Sequence, residues 1–197
     1  MPTKQRIEKV TKLLSQRQPD LRVALEEVQN THNASAVVRT CDAAGILYME
    51  IISAREKPFP VNDSISTGAE KWVKFNHHNS TSQCLARLKR EGFAIVSTYL
   101  ESSSLPYTEV DYTRPTVLVF GNEMEGISEE ALKYSDELIK IPMKGMVQSL
   151  NLSVSVGIIL YEALKQREKK GDFQKTKLSP AKLESLKKEF LSPLSSD

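Results

Sequence analysis

Apolar positions along the chain alternate between helical and strand-like spacing. Ile7, Val10, Leu13 and Leu14 recur at intervals of three and four, which predicts a helix over about Lys4–Gln16 with Thr3 as its cap. Gln18-Pro19-Asp20 ends it, and Leu21–Leu25 reads as a strand. Asn30–Asn33 is polar and loop-like. A second helix is expected from about Ala34 to Ala44, capped by Asn33 and closed by Gly45. Ile46–Ile52 predicts a buried strand, and Arg55–Gly68, with two prolines, a long surface loop. Ser80 or Ser82 caps a helix that Gly92 closes. Phe93–Thr98, Thr116–Phe120 and Leu138–Ile141 predict further strands, with a short helix around Glu129–Tyr134. Asn151–Lys169 is the longest helical stretch. Residues 171–178 read as a linker, after which Ser179-Pro180 opens an amphipathic helix with Leu183, Leu186 and Phe190 on one stripe.

Apolar strands alternating with helices imply an α/β fold with a mainly parallel sheet covered on both faces. We divide the chain into a domain over 1–170 and a linker plus terminal helix over 171–197. With 197 residues, 40% hydrophobic and 26% charged, the composition is that of a soluble globular domain. No uncharged apolar run approaches the ~18 residues of a membrane span. The N-terminus enters a charged amphipathic pattern and not an apolar signal core, so a cytoplasmic location is expected. Cys41 and Cys84 form no CxxC, which argues against a disulfide framework or a zinc ribbon. His32, His77 and His78 have no metal-ligand spacing, and no metal is expected.

The net charge of +2 is unevenly spread: residues 1–40 and 160–197 each carry +3, and the middle carries −4. Basic ends on an acidic body suit a polyanion partner, although ordinary solvated helices account for the same excess.

Three segments place polar residues where strands end. In the first, Asn30-Thr31-His32-Asn33 leads to Arg39, pairing a helix N-terminus with a guanidinium suited to phosphate or carboxylate. A capping Asn and a salt-bridged surface Arg are the plainer alternative. The second, Phe120-Gly121-Asn122-Glu123-Met124-Glu125-Gly126-Ile127-Ser128, lets a backbone approach a ligand beyond a strand. It lacks the dinucleotide and P-loop fingerprints, and a tight turn before a capping Ser128 explains it equally well. The third runs from Ile141-Pro142-Met143 through Gly145 to Gln148-Ser149-Leu150-Asn151. Ser149, Ser153 and Gly157 recur every four residues, as on a closely packed helix face.

Together, in this order and spacing, the three segments resemble the motifs of the SpoU class of RNA ribose 2′-O-methyltransferases, within the SPOUT superfamily. The likeness is greatest to the TrmH branch, the tRNA guanosine-18 methyltransferases, and runs from about residue 5 to 170. Pro58–Gly68 and the tail after Gly171 show little of the family's pattern. The resemblance implies a deep trefoil knot near the C-terminus, a homodimer, S-adenosylmethionine as cofactor and tRNA as substrate. By position it implies that Thr98, Gly121, Ile141 and Leu150 hold the cofactor, with Asn122, Met143 and Asn151 around it. It assigns the central catalytic role to Arg39, beside Asn33, Glu123 and Ser149. A guanidinium is essentially always protonated, so we read Arg39 as a binder of phosphate and developing alkoxide, not as a base. Arg6, Lys9, Arg17, Lys165 and Arg167, with Lys12, Lys169 and Lys170, are then candidates to grip RNA phosphates. Another tRNA position, ribosomal RNA, or a noncatalytic RNA-binding dimer are the rival readings.

Overall fold

The computed structural model describes residues 2–54 and 59–192. Its first helix, α1 (Lys4–Ser15), is capped by the Thr3 hydroxyl, which accepts from the Arg6 amide. Strand β1 (Leu21–Glu26) follows, then helix α2 (Thr31–Ala43). The cap of α2 is Asn30, whose side chain accepts from the Asn33 amide at 3.0 Å. Helix α2 therefore starts three residues earlier than the sequence pattern suggests. Asn33 is thereby moved from the cap into the first turn, where its own amide group is free to reach elsewhere.

Strand β2 (Tyr48–Ile52), helix α3 (Asp63–Ser66), strand β3 (Lys74–His78) and helix α4 (Thr81–Arg90) come next. The expected surface loop over 55–68 is corrected in part. Positions 63–66 are helical, Ser66 is buried, and Phe59 and Val61 pack against the core. Its residues 55–58 lie outside the described residues, as do residues 193–197 of the predicted tail. Of the two candidate caps, Ser80 is the one that closes the start of α4. Strands β4 (Ala94–Thr98), β5 (Leu105–Pro106) and β6 (Thr116–Phe120) precede helix α5 (Glu129–Tyr134). Strand β7 (Glu137–Lys140) and helices α6 (Leu152–Lys170) and α7 (Pro180–Leu191) complete the chain.

All seven strands are parallel, in the order β3-β2-β1-β6-β4-β7-β5. Alternation within strands divides the core. Leu21, Val23, Leu25, Leu118 and Phe120 face α2 and α6, whereas Ala24, Val117 and Val119 face α4 and α5. A third cluster joins α1 to α7 through Val10, Leu14, Leu186 and Phe190, with the Trp72 ring edge-on to Phe190 at 5.5 Å. Among the described residues, no helix is long and apolar enough to cross a membrane.

The every-fourth-residue pattern of Ser149, Ser153 and Gly157 is not one helix face, because α6 begins only at Leu152. Asn151 caps it, its Oδ1 accepting from the Ser153 amide at 2.9 Å. Gly157 does lie against α2, where an added Cβ would sit 3.9 Å from the Thr40 methyl.

Candidate active site

Parallel strands leave their carboxyl ends on one edge of a sheet, where connecting loops form a ligand crevice. Here the ends of β4, β6 and β7 open into a cavity of about 1010 Å³. Phe120, Ile139, Ile141, Leu150 and Ile159 supply apolar wall, and the 121–126 loop and Ser149 supply polar rim. Ten of the predicted site residues line it: Asn33, Thr98, Gly121, Asn122, Glu123, Ile141, Met143, Ser149, Leu150 and Asn151.

A chain of side-chain bonds ties the three sequence segments together. Asn151 Nδ2 donates to Asn33 Oδ1 at 2.9 Å, and Asn33 Nδ2 donates to Glu123 Oε1 at 2.8 Å. Each amide is thus oriented by its neighbour, and the carboxylate terminates the relay. Asn122 organises the second segment. Its Oδ1 accepts from the Met124 amide at 2.7 Å, and its backbone exchanges two 2.9 Å bonds with Gly126. This fold-back needs Gly121, since a Cβ there would fall 2.0 Å from the Gly126 carbonyl oxygen. Thr98 Oγ1 donates to the Val119 carbonyl at 3.3 Å, which ties the ends of β4 and β6.

Arg39 is not in this cavity. It lies six residues beyond Asn33 on α2, about 9 Å along the axis, and is exposed. Among the described residues it has no hydrogen-bond or ion-pair partner, so the salt-bridged alternative does not hold. His32 is exposed and lies outside the cavity as well.

Two of the proposed RNA contacts are corrected. Arg17 is 1% exposed; its Nη1 donates to the carbonyls of Asp42 and Ile46, and its Nη2 pairs with the Asp42 carboxylate. Arg167 is 0% exposed and donates to Asp20, Gln18 and the carbonyls of Tyr112 and Arg114. A guanidinium has five donors, and at these interior junctions they satisfy carbonyls that would otherwise be unpaired. Neither can reach a phosphate. Arg6, Lys9, Lys12, Lys165, Lys169 and Lys170 are exposed.

Tyr99, Leu100 and Lys140 also line the cavity and were not singled out from sequence, although each stands at a strand's carboxyl end. Glu50, His78 and Cys84 bring ligand atoms within 4.8 Å of one another. The Glu50 carboxylate is already occupied by Arg22, Asn76, His78 and Arg87, and burial pushes the Cys84 thiol up to about 12. This is a charge cluster binding β1, β2, β3 and α4 together.

Fold and site together define a class in which a cofactor sits at the carboxyl edge of a parallel sheet. Residues 20–161 match the SpoU rRNA Methylase family, and the chain belongs to that family. It is 45% identical over 185 residues to the tRNA (guanosine(18)-2′-O)-methyltransferase of Aquifex aeolicus, covering 94% of this chain and 88% of that protein. The crystal structure of the A. aeolicus TrmH/SpoU tRNA modifying enzyme superposes with a TM-score of 0.91, covering 95% of each chain. The SpoU methyltransferase AviRb from Streptomyces viridochromogenes, solved with the cofactor AdoMet, is 25% identical, with a TM-score of 0.69. That match covers 77% of this chain and 62% of AviRb.

Proposed function

We propose that this chain transfers a methyl group from S-adenosylmethionine to the ribose 2′-hydroxyl of guanosine 18 in tRNA. The observation that carries the reading is the Asn151–Asn33–Glu123 relay at the cavity mouth, which joins all three sequence motifs in one constellation. Likeness to guanosine-18 methyltransferases over nearly the whole chain selects tRNA over ribosomal RNA.

The residues present fit the cofactor. Apolar walls from Ile141, Leu150 and Ile159 suit an adenine ring, while Thr98, Gly121 and the polar rim offer backbone and hydroxyl groups to its polar parts. S-adenosylmethionine supplies a sulfonium-activated methyl. The chain's own task is positioning: a ribose hydroxyl is a weak nucleophile, and holding it in line contributes several kcal/mol. In this reading Asn33 and Ser149 orient the ribose, and Glu123 fixes the Asn33 amide. Arg39, exposed and without a partner among the described residues, binds the nucleotide's phosphate and steadies the developing alkoxide.

The assembly is a homodimer in the same reading. Met146, Val147, Leu150, Val154 and Tyr161 form an exposed apolar run from the cavity rim along α6, and a second copy covers it. A trefoil knot is supported by strand order. Strand β7 enters between β4 and β5, which belong to one continuous loop of chain, and α6 then packs back on α2. We assign residues 1–170 to the methyltransferase domain, with 171–197 as linker and helix packed on α1. A cytoplasmic site of action follows from the tRNA substrate.

The test is methyl transfer from labelled S-adenosylmethionine to bulk tRNA and ribosomal RNA, with the labelled nucleoside identified by mass spectrometry. 2′-O-methylguanosine from tRNA alone is expected. Label in ribosomal RNA, or none in either despite cofactor binding, would overturn it.

A further inference from the structure

Glu27 stands immediately after β1 with φ +52°, one of two non-glycine residues in the left-handed region among the described residues. Such a backbone is strained for an L-residue of this type and persists only where neighbours hold it. Among the described residues, three sets of bonds do so. The Glu27 amide donates to the Ile52 carbonyl at 2.9 Å, continuing the β1–β2 ladder by one step. Its carboxylate accepts from the Ala54 amide at 2.6 Å and the Ser53 hydroxyl at 3.2 Å, just past the end of β2. Its carbonyl accepts from Asn122 Nδ2 at 2.9 Å. That last bond crosses from the end of β1 to the loop after β6. Asn122 is the residue that folds residues 121–126 into the cavity wall. The same left-handed turn also directs residues 28–33 toward the cavity, where Gln29, Asn30 and Asn33 line it.

We propose that Glu27 is a positioning residue for the cofactor. Its left-handed backbone presents a carbonyl to Asn122 and thereby holds the 121–126 loop in its binding shape, while its carboxylate anchors that backbone to the end of β2. The inference rests on the reading of the cavity as the S-adenosylmethionine site. It does not depend on which RNA is methylated.

The test is calorimetric titration of the full chain with S-adenosylmethionine, alongside thermal melts. Ala at 27 loses the anchor and still resists positive φ, so Glu27→Ala is expected to weaken binding by about five- to tenfold. Glu27→Gly, which adopts the left-handed region freely, is expected to bind within about twofold of wild type. Gly rescuing where Ala fails identifies the left-handed backbone as what matters, and affinity lost at temperatures where the melts show the variant folded separates positioning from a general loss of stability. Combining Glu27→Ala with Asn122→Ala should bind no more weakly than Asn122→Ala alone, because the two act through one bond. Should Glu27→Ala not fold, Glu27→Gly still decides, since Asn122→Ala must cost as much in that background as in wild type. Wild-type affinity in Glu27→Ala, a full loss in Glu27→Gly, or independent effects of positions 27 and 122 would each overturn the proposal. A wild-type chain that binds no S-adenosylmethionine would overturn the cofactor reading and the proposal with it.

Discussion

Asn33 on α2 donates to the Glu123 carboxylate at 2.8 Å, across 90 positions of sequence. The same amide accepts from Asn151, the cap of α6. One side chain therefore couples the start of two helices to the loop after β6, and its orientation is set at both ends. Replacing it by Ala removes both bonds, so the Glu123 carboxylate loses that donor while Asn151 is held only by its cap to Ser153. We expect Asn33→Ala to lower kcat for tRNA methylation by about a hundredfold, a size usual for lost positioning. S-adenosylmethionine affinity should change by no more than about threefold, because the apolar cofactor walls are untouched. Steady-state kinetics and calorimetry on the same variant check both halves, and an unchanged kcat would remove Asn33 from the reaction.

Gly121 tests the loop's backbone. A Cβ at this position falls 2.0 Å from the Gly126 carbonyl oxygen, which is backbone and has no rotamer to yield. Gly121→Ala must open the Asn122–Gly126 fold-back. It should cost about 1–3 kcal/mol, the usual range for overpacking, and weaken cofactor binding more than tenfold. Gly126→Ala, where a Cβ meets nothing within 4 Å but φ is +73°, should cost about 1 kcal/mol and spare most of the affinity. Melting temperatures and titrations of the pair separate steric exclusion from backbone preference.

The elements that were legible in the sequence are those whose burial is one-sided or complete. Strands β1, β2, β4 and β6 announce themselves as apolar runs, and α1 and α7 as stripes. Strand β3, Lys74-Phe75-Asn76-His77-His78, escaped because it is an edge strand whose polar side chains serve the Glu50 cluster and have no apolar period. The start of α2 was misplaced because Asn30 and Asn33 are equally good caps by type, and only packing selects between them. The site was legible through its three motifs, since strand ends and polar loops gather at one edge of a parallel sheet. The buried arginines were not. Arg167 does fall in register with Val156, Leu160 and Ala163 on the inner stripe of α6, which is the signal that charge counting overrides. Arg39 shows the opposite limit, since adjacency on one helix does not place it in the cavity with Asn33.

Acid should unfold this protein partly through Asp20. Burial pushes its carboxyl up, but the Lys177 bond and the Arg167 charge outweigh that and hold it below its ordinary 3.8. A lowered folded-state pKa contributes stability that is present above the unfolded value and lost as pH falls through the folded one. Asp20→Asn should therefore cost about 2–4 kcal/mol at neutral pH, because Arg167 stays buried with a neutral partner. The gap to wild type should begin to narrow near Asp20's ordinary 3.8, where the unfolded chain takes up the proton first, and close as pH falls through the lower folded value. Urea unfolding from neutral to about pH 3 measures it, and a gap independent of pH would exclude Asp20 from the acid limb.

Salt dependence separates the surface cations from the buried ones. If Arg6, Lys9, Lys165 and Lys169 contact phosphates, four contacts imply a loss of tRNA affinity on the order of a hundredfold between about 50 and 200 mM salt. Lys9→Ala with Lys165→Ala should lower the logarithmic slope by about two, with little change in melting temperature. Arg167→Ala should instead lower the melting temperature sharply, because it removes a buried donor from Asp20, from the Arg114 carbonyl and from the Tyr112 carbonyl. Filter binding over a salt series, with melts of the same variants, checks the division.

Arg39 carries the sharpest expectation for the chemistry. It makes no bond among the described residues and is exposed, so replacing it should leave the melting temperature within about 1 °C, as for a surface change. Lys keeps the charge but loses the planar fork that grips a phosphate in two places. We expect Arg39→Lys to lower kcat by about a hundredfold and Arg39→Ala by more, both with unaltered S-adenosylmethionine affinity. A guanidinium acting as a binder stays protonated throughout, so the pH–rate profile of Arg39→Lys should be displaced downward with its shape kept. If Arg39 were a base, Lys with its lower pKa would instead move the alkaline limb toward neutrality. Near-native activity in Arg39→Lys with an unshifted pH–rate profile would exclude both roles.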